Sequence, residues 1–481
     1  MRSSVLCILL FVGLSVAARP NVIIILADDQ GYNDLGCYGS KTIKTPRIDQ
    51  MAREGIRLTD YYAAAPLCGP SRAALLTGCY AQRLAEYGKE KECHTVIDSG
   101  EVLISELLQS AGYKTACIGK WHVAGSKKTC IKTAKNGSGL ERYSMARPEI
   151  MPMQKGFDVY FGTPYSNDMD PTVLIRGNEI VEELGHGEKQ AGLSTRYTDE
   201  ALSFIESNKD APFFLYLAFN MPHKPLWPGK EFEGKSAYGR YGDCIEEIDW
   251  NTGRVLDKLT ELGIDENTFV VYMSDNGPFK AHKAGIPKFL KRVPDASYIQ
   301  GGCADPLKGH KLTSNEGGLR VPAIIRWPKG ISAGRVSSEL VSAIDLFPTI
   351  VRLAGATLPD DRVIDGVDLT EFLTGKRVQS GRDHFYYYKW LYLYAVRDSE
   401  WKLVMPRPAV YKDMAWYCRG QEAVKEPTLY NLKKDIGETV NVAAQHPEVV
   451  SRLMKVVEQA REDLGDRATG LDGSGIRHNH N

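Results

Sequence analysis

The sequence predicts an α/β fold, a mostly parallel sheet sandwiched by helices, followed by a smaller C-terminal α+β unit containing a short antiparallel sheet. Three observations carry this reading. Long β-branched or aromatic runs break directly into polar clusters, amphipathic stretches lie between them, and near residue 360 the texture changes to short aromatic segments. Apolar runs without alternation mark strands buried on both faces, and such strands belong to sheets covered by helices on each side.

The run from Asn21 to Ala27 gives way to Asp28-Asp29-Gln30-Gly31, so the first strand ends on two acids. Amphipathic stretches from Val102 to Ala111 and from Cys244 to Leu262 have helical spacing of apolar residues and read as covering helices. Phe213 to Phe219, ending in Asn220-Met221-Pro222-His223, and Thr268 to Met273, ending in Ser274-Asp275-Asn276-Gly277, repeat the pattern of the first strand. In sheets of this kind a ligand sits beyond the carboxyl ends of the strands, where these polar clusters fall. Gly366 to Gly375 reads as a linker with a short helix. Phe385 to Tyr388, Leu393 to Val396 and Trp401 to Val404 read as short strands, and Pro447 to Leu464 as a closing helix. The tail from Gly470 to Asn481 is expected to fray, with His478 and His480 on the surface.

Of the 481 residues 43% are hydrophobic and 25% charged, a globular mixture that excludes disorder, collagen and low complexity. Sixty Lys and Arg balance sixty Asp and Glu, so no overall field draws in nucleic acid or an anionic membrane, and anion recognition must be local. Residues 1–18 combine Met1-Arg2-Ser3-Ser4, an apolar run from Val5 and a small-residue end at Ser15-Val16-Ala17-Ala18, the makeup of a secretory signal peptide. The expected organisation is a signal peptide at 1–18, a main domain at 19–360 and a C-terminal subdomain at 361–481, secreted or periplasmic, with no membrane span. Ten cysteines, Cys7 among them in the leader, leave an odd number in the mature chain, so at least one does not pair within it. None forms a Cys-x-x-Cys pair, which speaks against structural zinc.

Leu67-Cys68-Gly69-Pro70-Ser71-Arg72, followed by Ala73-Ala74-Leu75-Leu76-Thr77-Gly78, is the most informative stretch. Pro70 suits a first helical turn, Ala73 to Leu76 favour helix and Gly78 terminates it, so a short helix starts at once after Cys68. A side chain there meets free N–H groups and the positive end of the dipole. With Arg72 added, this is an anion site beside a potential nucleophile. The plain alternative is a buried cysteine ahead of a helix. A cysteine phosphatase loop needs an arginine six positions after the cysteine, where this chain has Ala74.

Cys68-x-Pro70-Ser71-Arg72 with Leu76-Thr77-Gly78 resembles the signature of the type I sulfatases, arylsulfatase A-like, in which that cysteine is oxidised to formylglycine. Asp28-Asp29-Gln30-Gly31, Gly119-Lys120-Trp121-His122, Pro222-His223, Ser274-Asp275-Asn276-Gly277, Glu316-Gly317-Gly318-Leu319-Arg320-Val321-Pro322, Asp345-Leu346-Phe347-Pro348-Thr349 and Leu429-Tyr430-Asn431-Leu432 match further family blocks in family order. The likeness therefore covers nearly the whole mature chain. It implies an alkaline-phosphatase-like α/β domain with a smaller C-terminal sheet domain, secretion, a formylglycine-generating or sulfatase-maturating enzyme as partner, and hydrolysis of sulfate esters.

A sulfate ester loses its alkoxide while charge shifts on oxygen, so the site needs a nucleophile, cations and an acid. By family analogy one hydroxyl of the hydrated formylglycine at residue 68 attacks sulfur; the other then loses a proton and sulfate is expelled. Asp28, Asp29, Asp275 and Asn276 come from the ends of two distant strands and offer only oxygen, which suits a hard cation such as calcium. The resemblance assigns these four as the shell of one Ca2+, although an Asp-Asp pair alone is more commonly a loop or cap. Lys120 and His122, two apart, would point the same way from an extended segment. The family pattern gives Lys120 contact with the nucleophile and His122 the proton removal that releases sulfate. His223 and Lys311 carry over as contacts to leaving-group or sulfate oxygens, Lys311 rather than Lys308 because it stands five residues before Glu316. In isolation each reads as readily as a surface lysine or a packed histidine.

Tyr165-Ser166-Asn167-Asp168-Met169 is expected to hydrogen-bond sugar hydroxyls, and Lys280, His282, Lys283, Lys288, Lys291 and Arg292 to form a cationic rim for a polyanionic glycan. Asn136-Gly137-Ser138 is a glycosylation sequon. The leading expectation is a calcium-dependent sulfatase acting on sulfated carbohydrate. The alternatives are an arylsulfatase on small aryl sulfates, a phosphatase or phosphodiesterase of the same superfamily, and a non-catalytic glycan-binding protein in which Cys68 stays a thiol.

Overall fold

The computed structural model describes residues 19–88, 96–124, 147–169, 172–185, 187–280, 293–414 and 421–477. The leader, the sequon, the cationic run beyond Lys280, Cys93, Cys130, Cys418, His478 and His480 lie outside them.

Ten strands form one mixed sheet in the order Arg335–Ser337, Ile56–Leu58, Ala323–Arg326, Thr268–Ser274, Asn21–Ala27, Phe213–Ala218, Lys114–Gly119, Val159–Gly162, Val173–Arg176 and Glu179–Glu183. From Thr268–Ser274 to Val159–Gly162 the strands are parallel, as predicted. Toward the margins the pairing turns antiparallel, except where Arg335–Ser337 lies parallel on Ile56–Leu58. These marginal strands are too short to show a period of their own, so the sequence does not announce them.

Along the first strand Val22, Ile24 and Leu26 enter one core with the helices Cys68–Thr77, Ile104–Ser110 and Leu346–Leu353. Ile23, Ile25 and Ala27 enter the other with Pro46–Glu54, Leu193–Ser207 and Arg240–Glu261. Alternate residues thus feed two apolar layers, which is why the run is unbroken. The register sets the carboxyl ends level, with Ala27 opposite Ser274 and both Leu26 and Gly119 opposite Ala218. Gly119 has φ 108°, and a Cβ there would lie 1.8 Å from the Ala218 carbonyl oxygen, so glycine alone lets the chain turn toward Lys120.

A second, antiparallel sheet holds Phe385–Lys389, Tyr392–Arg397, Trp401–Val404 and Thr428–Asn431 in that order, with the helix Pro447–Leu464 packed on it. Its core takes in Tyr62, Ala74, Tyr80 and Leu319, so it abuts the helix that begins at Cys68. The joint between the two sheets is charged. Glu316, fully buried, accepts from Tyr62, from Tyr387 at 2.6 Å and from Lys402 at 3.0 Å, while Glu438 accepts the Glu316 backbone N–H at 2.8 Å. The Glu316-Gly317-Gly318 block is therefore a fastening between sheets. No helix among the described residues is long and apolar enough to cross a membrane. Cys37, Cys68, Cys79, Cys117, Cys244 and Cys303 form no disulfides.

Candidate active site

Cys68 opens the helix Cys68–Thr77, which ends on Gly78 in the left-handed region, its N–H donating to the Ala74 carbonyl at 2.9 Å. No side chain caps the amino end of this helix. Its dipole and first-turn N–H groups therefore act on whatever residue 68 holds. The Cys68 Sγ lies 3.1 Å from Lys311 Nζ and 4.0 Å from Asp29 Oδ1. Burial, reinforced by Asp28, pushes the thiol well above its ordinary range, so as a thiol it is a poor nucleophile.

Around it strand ends, the helix itself and the loop before Glu316 bring acids and cations together. Lys311 pairs with Asp29 Oδ1 at 2.5 Å, and Lys120 pairs with Asp28 Oδ2 at 2.5 Å. Arg72, fully buried, donates from Nε to Asp275 Oδ2 at 2.9 Å and from Nη1 to the Lys120 carbonyl at 2.9 Å. Its guanidinium braces two strand ends, a more inward role than the anion contact expected from its place after Cys68. His223 Nε2 is 3.7 Å from Asp29 Oδ2. His122 is buried with φ 60°, its backbone N–H donating to the Pro164 carbonyl at 3.0 Å. A left-handed residue breaks the extended segment, so the alternation that was to aim Lys120 and His122 alike does not hold there.

Burial acts to raise the Asp28 carboxyl, but Lys120, His223, Arg72 and Lys311 together hold it well below the usual carboxylate range. Asp275 is pushed up to about 7 by burial and by the neighbouring Asp28 charge. Burial and Lys311 push the His223 imidazole down. For Lys311 itself burial opposes the charge, yet Asp29 with Cys68 and the other acids raises it well above its ordinary value.

Among the described residues, Asp28 Oδ1, Asp29 Oδ2 and Asn276 Oδ1 are buried without a hydrogen-bond partner. Asn276 Nδ2 donates to Asp29 Oδ1 at 2.8 Å and to the Gly277 carbonyl at 2.9 Å, which fixes its amide with the oxygen as the idle acceptor. Asp29 is also held at φ 69°, a conformation that costs a non-glycine residue about 1–3 kcal/mol. Idle buried oxygens are unfavourable unless a cation meets them. One ligand atom from each of Asp28, Asp29, Cys68 and His223 lies within 4.8 Å of the others. The cluster fits a metal site, and its idle carboxylate and amide oxygens suit a hard cation.

Ser166 and Asn167 stand in the stretch expected to meet sugar hydroxyls, whereas Tyr241 carried no signal in the sequence. Ser166 Oγ is 3.4 Å from both Lys120 Nζ and His223 Nδ1. Tyr241 donates to Asp34 Oδ2 at 2.6 Å and lies 3.3 Å from the Asp29 carbonyl, bracing the acidic turn from behind. Asn167, expected to face sugar hydroxyls, is buried with both ends of its amide engaged inside the protein.

A nucleophile-bearing helix start ringed by acids and cations, at the carboxyl edge of a helix-sandwiched sheet, defines a hydrolase of anionic esters. A sulfatase family model matches residues 20–356, and one described as N-sulphoglucosamine sulphohydrolase, C-terminal, matches 310–463. The chain is 34% identical to human N-acetylgalactosamine-6-sulfatase over 485 residues, covering 92% of this chain and 86% of that one. It is 32% identical to human steryl-sulfatase over 525 residues, covering 93% and 88%. Among solved structures, a Bacteroides thetaiotaomicron protein described with the metabolism of multiple glycosaminoglycans matches with TM-score 0.76 and 29% identity, over 92% of this chain and 99% of that one. Ps i-CgsB in complex with k-i-k-neocarrahexaose matches with TM-score 0.70 and 28% identity, over 92% of each chain. The phosphonate monoester hydrolase of Agrobacterium radiobacter, at TM-score 0.60 and 20% identity over 94% and 96%, shares the fold. The chain belongs to the sulfatase family, on an alkaline-phosphatase-like scaffold, and is a sulfuric ester hydrolase.

Proposed function

We propose that the protein is a secreted or periplasmic calcium-dependent sulfatase that hydrolyses sulfate esters of carbohydrates through a formylglycine made from Cys68 by a maturating enzyme. The observation that carries this reading is the setting of Cys68: at a helix start, 3.1 Å from Lys311 Nζ, beside a cluster in which Asp28 Oδ1, Asp29 Oδ2 and Asn276 Oδ1 have no hydrogen-bond partner among the described residues. A thiol pushed up by burial is ill suited to attack there, whereas a hydrated aldehyde supplies one hydroxyl to attack sulfur and a second whose deprotonation expels sulfate. Asp28, Asp29, Asp275 and Asn276 would hold the calcium, which supplies positive charge beside the sulfate. Lys120 and Lys311 add cationic N–H groups, and Arg72 keeps Asp275 and the Lys120 carbonyl in place. Lys311 Nζ, and His223 Nε2 when the ring is an imidazolium, are the groups at hand to protonate the departing alcohol, and His122 takes the proton whose removal frees sulfate.

A carbohydrate substrate is supported by the names of N-acetylgalactosamine-6-sulfatase and of the neocarrahexaose complex, each said of those proteins. Steryl-sulfatase keeps an aryl or steryl sulfate as the second reading. Mass spectrometry of the peptide holding residue 68, with sulfate release from defined sulfated saccharides and from an aryl sulfate, tests both. An active preparation that retains an intact thiol, or releases phosphate in preference to sulfate, overturns the proposal.

A further inference from the structure

His223 is buried, and its two ring nitrogens have unlike surroundings. Nδ1 is 2.9 Å from Asn167 Oδ1 and 2.7 Å from the Lys224 carbonyl, whereas Nε2 faces Asp29 Oδ2 at 3.7 Å. Ser166 Oγ, at 3.4 and 3.5 Å, contacts both and discriminates neither. A ring nitrogen against a carbonyl has to donate. Which end of the Asn167 amide meets it follows from the far side of that amide. Asn167 Nδ2 is surrounded by acceptors, Gln190 Oε1 at 3.2 Å and the carbonyls of His223 and Pro225 at 3.3 and 3.1 Å. Gln190 Nε2 in turn donates to the carbonyls of Asn167 at 2.9 Å and Gly185 at 2.5 Å, so Oε1 is the atom left for Asn167. Carbonyls cannot donate, so the direction of every bond is set from Gly185 through Gln190 and Asn167 to His223. Both amides are fully buried, and turning either one over would press oxygen against oxygen.

We infer that Asn167, clamped by Gln190, is a positioning residue that holds neutral His223 as its Nδ1–H tautomer, so that this histidine can act on a ligand only through Nε2. The opposite tautomer would set an Nδ1 lone pair against two oxygens. The kinetic part of this inference rests on the sulfatase reading and deepens it; the tautomer does not depend on it.

The test uses full-length, calcium-loaded protein labelled with 15N-histidine, recorded at a pH where the ring is neutral, with His223→Gln to assign the signals. Wild type is expected to show residue 223 protonated at Nδ1, with a pyridine-type Nε2. In Asn167→Leu the Nδ1 proton, left to the Lys224 carbonyl and the more distant Ser166 Oγ, exchanges faster with water, and kcat on an aryl sulfate falls about tenfold while KM stays within about twofold. An Nε2–H tautomer in wild type overturns the inference, as does an Asn167→Leu protein with unchanged proton exchange and kcat. If Asn167→Leu fails to fold, the wild-type tautomer still decides. The spectrum is read without turnover, so a protein that released no sulfate would refute the proposed function and leave this question answerable.

Discussion

Replacing Glu316 with glutamine keeps the shape of the joint between the two sheets and deletes one charge. Three acids, Asp60, Glu316 and Glu438, face three cations there, and Glu316 approaches each cation, Lys402 at 3.0 Å, Arg320 at 3.6 Å and Arg397 at 3.9 Å. In the variant Lys402 keeps Glu438 at 2.9 Å and the arginines keep Asp60 at 2.5 and 3.3 Å, but the buried cluster is left with one positive charge in excess. The glutamine NH2 group also meets a place lined by the donors of Tyr62, Tyr387 and Lys402. Burial acts to raise the Glu316 carboxyl, yet Lys402 and the two arginines hold it at about 2 against an ordinary 4.5. At about 1.4 kcal/mol per pH unit this corresponds to roughly 3 kcal/mol, the low end of the ~3–5 kcal/mol expected for breaking a buried ion pair. The carboxyl is depressed in the folded state, so its contribution is complete above its unfolded value and drains away as pH falls toward its folded one. Urea unfolding of both proteins with calcium present is expected to show Glu316→Gln less stable by about 3 kcal/mol near neutral pH, with the gap closing on acidification below about pH 4.5. A gap under about 1 kcal/mol, or one indifferent to acid, refutes the reasoning.

Cys68→Ala is expected to abolish sulfate release while moving the thermal midpoint by no more than about 2–4 °C, because little packing volume is lost; calorimetry and a chromogenic sulfate ester check both halves. Removing divalent ions with a chelator should inactivate the enzyme and lower its midpoint, and calcium should restore both, by about 2.7 kcal/mol of stability at a hundredfold excess over Kd. Full activity in metal-free protein contradicts the ligand set built on Asp28, Asp29, Asp275 and Asn276. Gly119→Ala places a Cβ 1.8 Å from the Ala218 carbonyl oxygen at φ 108° and is expected to destabilise the fold by about 3 kcal/mol or more in urea titrations, where a loss under about 1 kcal/mol would show that the turn into Lys120 has room to adjust.

What could be read in the sequence is what depends on neighbours along the chain. Asn21–Ala27 and Pro447–Leu464 stand where their patterns place them, and the helix at Cys68 ends on Gly78 as its residues demand. The site was legible in part for a related reason: a buried strand has to end before its polar residues begin, so Asp28, His223 and Asp275 each advertise the carboxyl end of a strand, whereas Lys120 and Lys311 were placed by the family resemblance. Which acid takes which cation was not legible. Arg72 follows Cys68 closely enough to look like part of an anion cradle, yet its guanidinium lies against Asp275 and the Lys120 carbonyl. Asn167 is the sharper case. Its role follows from carbonyls at 185, 223 and 225 and from an amide at 190, and their polarity has meaning only once the fold has brought them within bonding distance. Sequence pattern therefore reports on which polar groups stand at the ends of buried strands. The direction of each proton within the site is set by backbone oxygens that every residue carries alike.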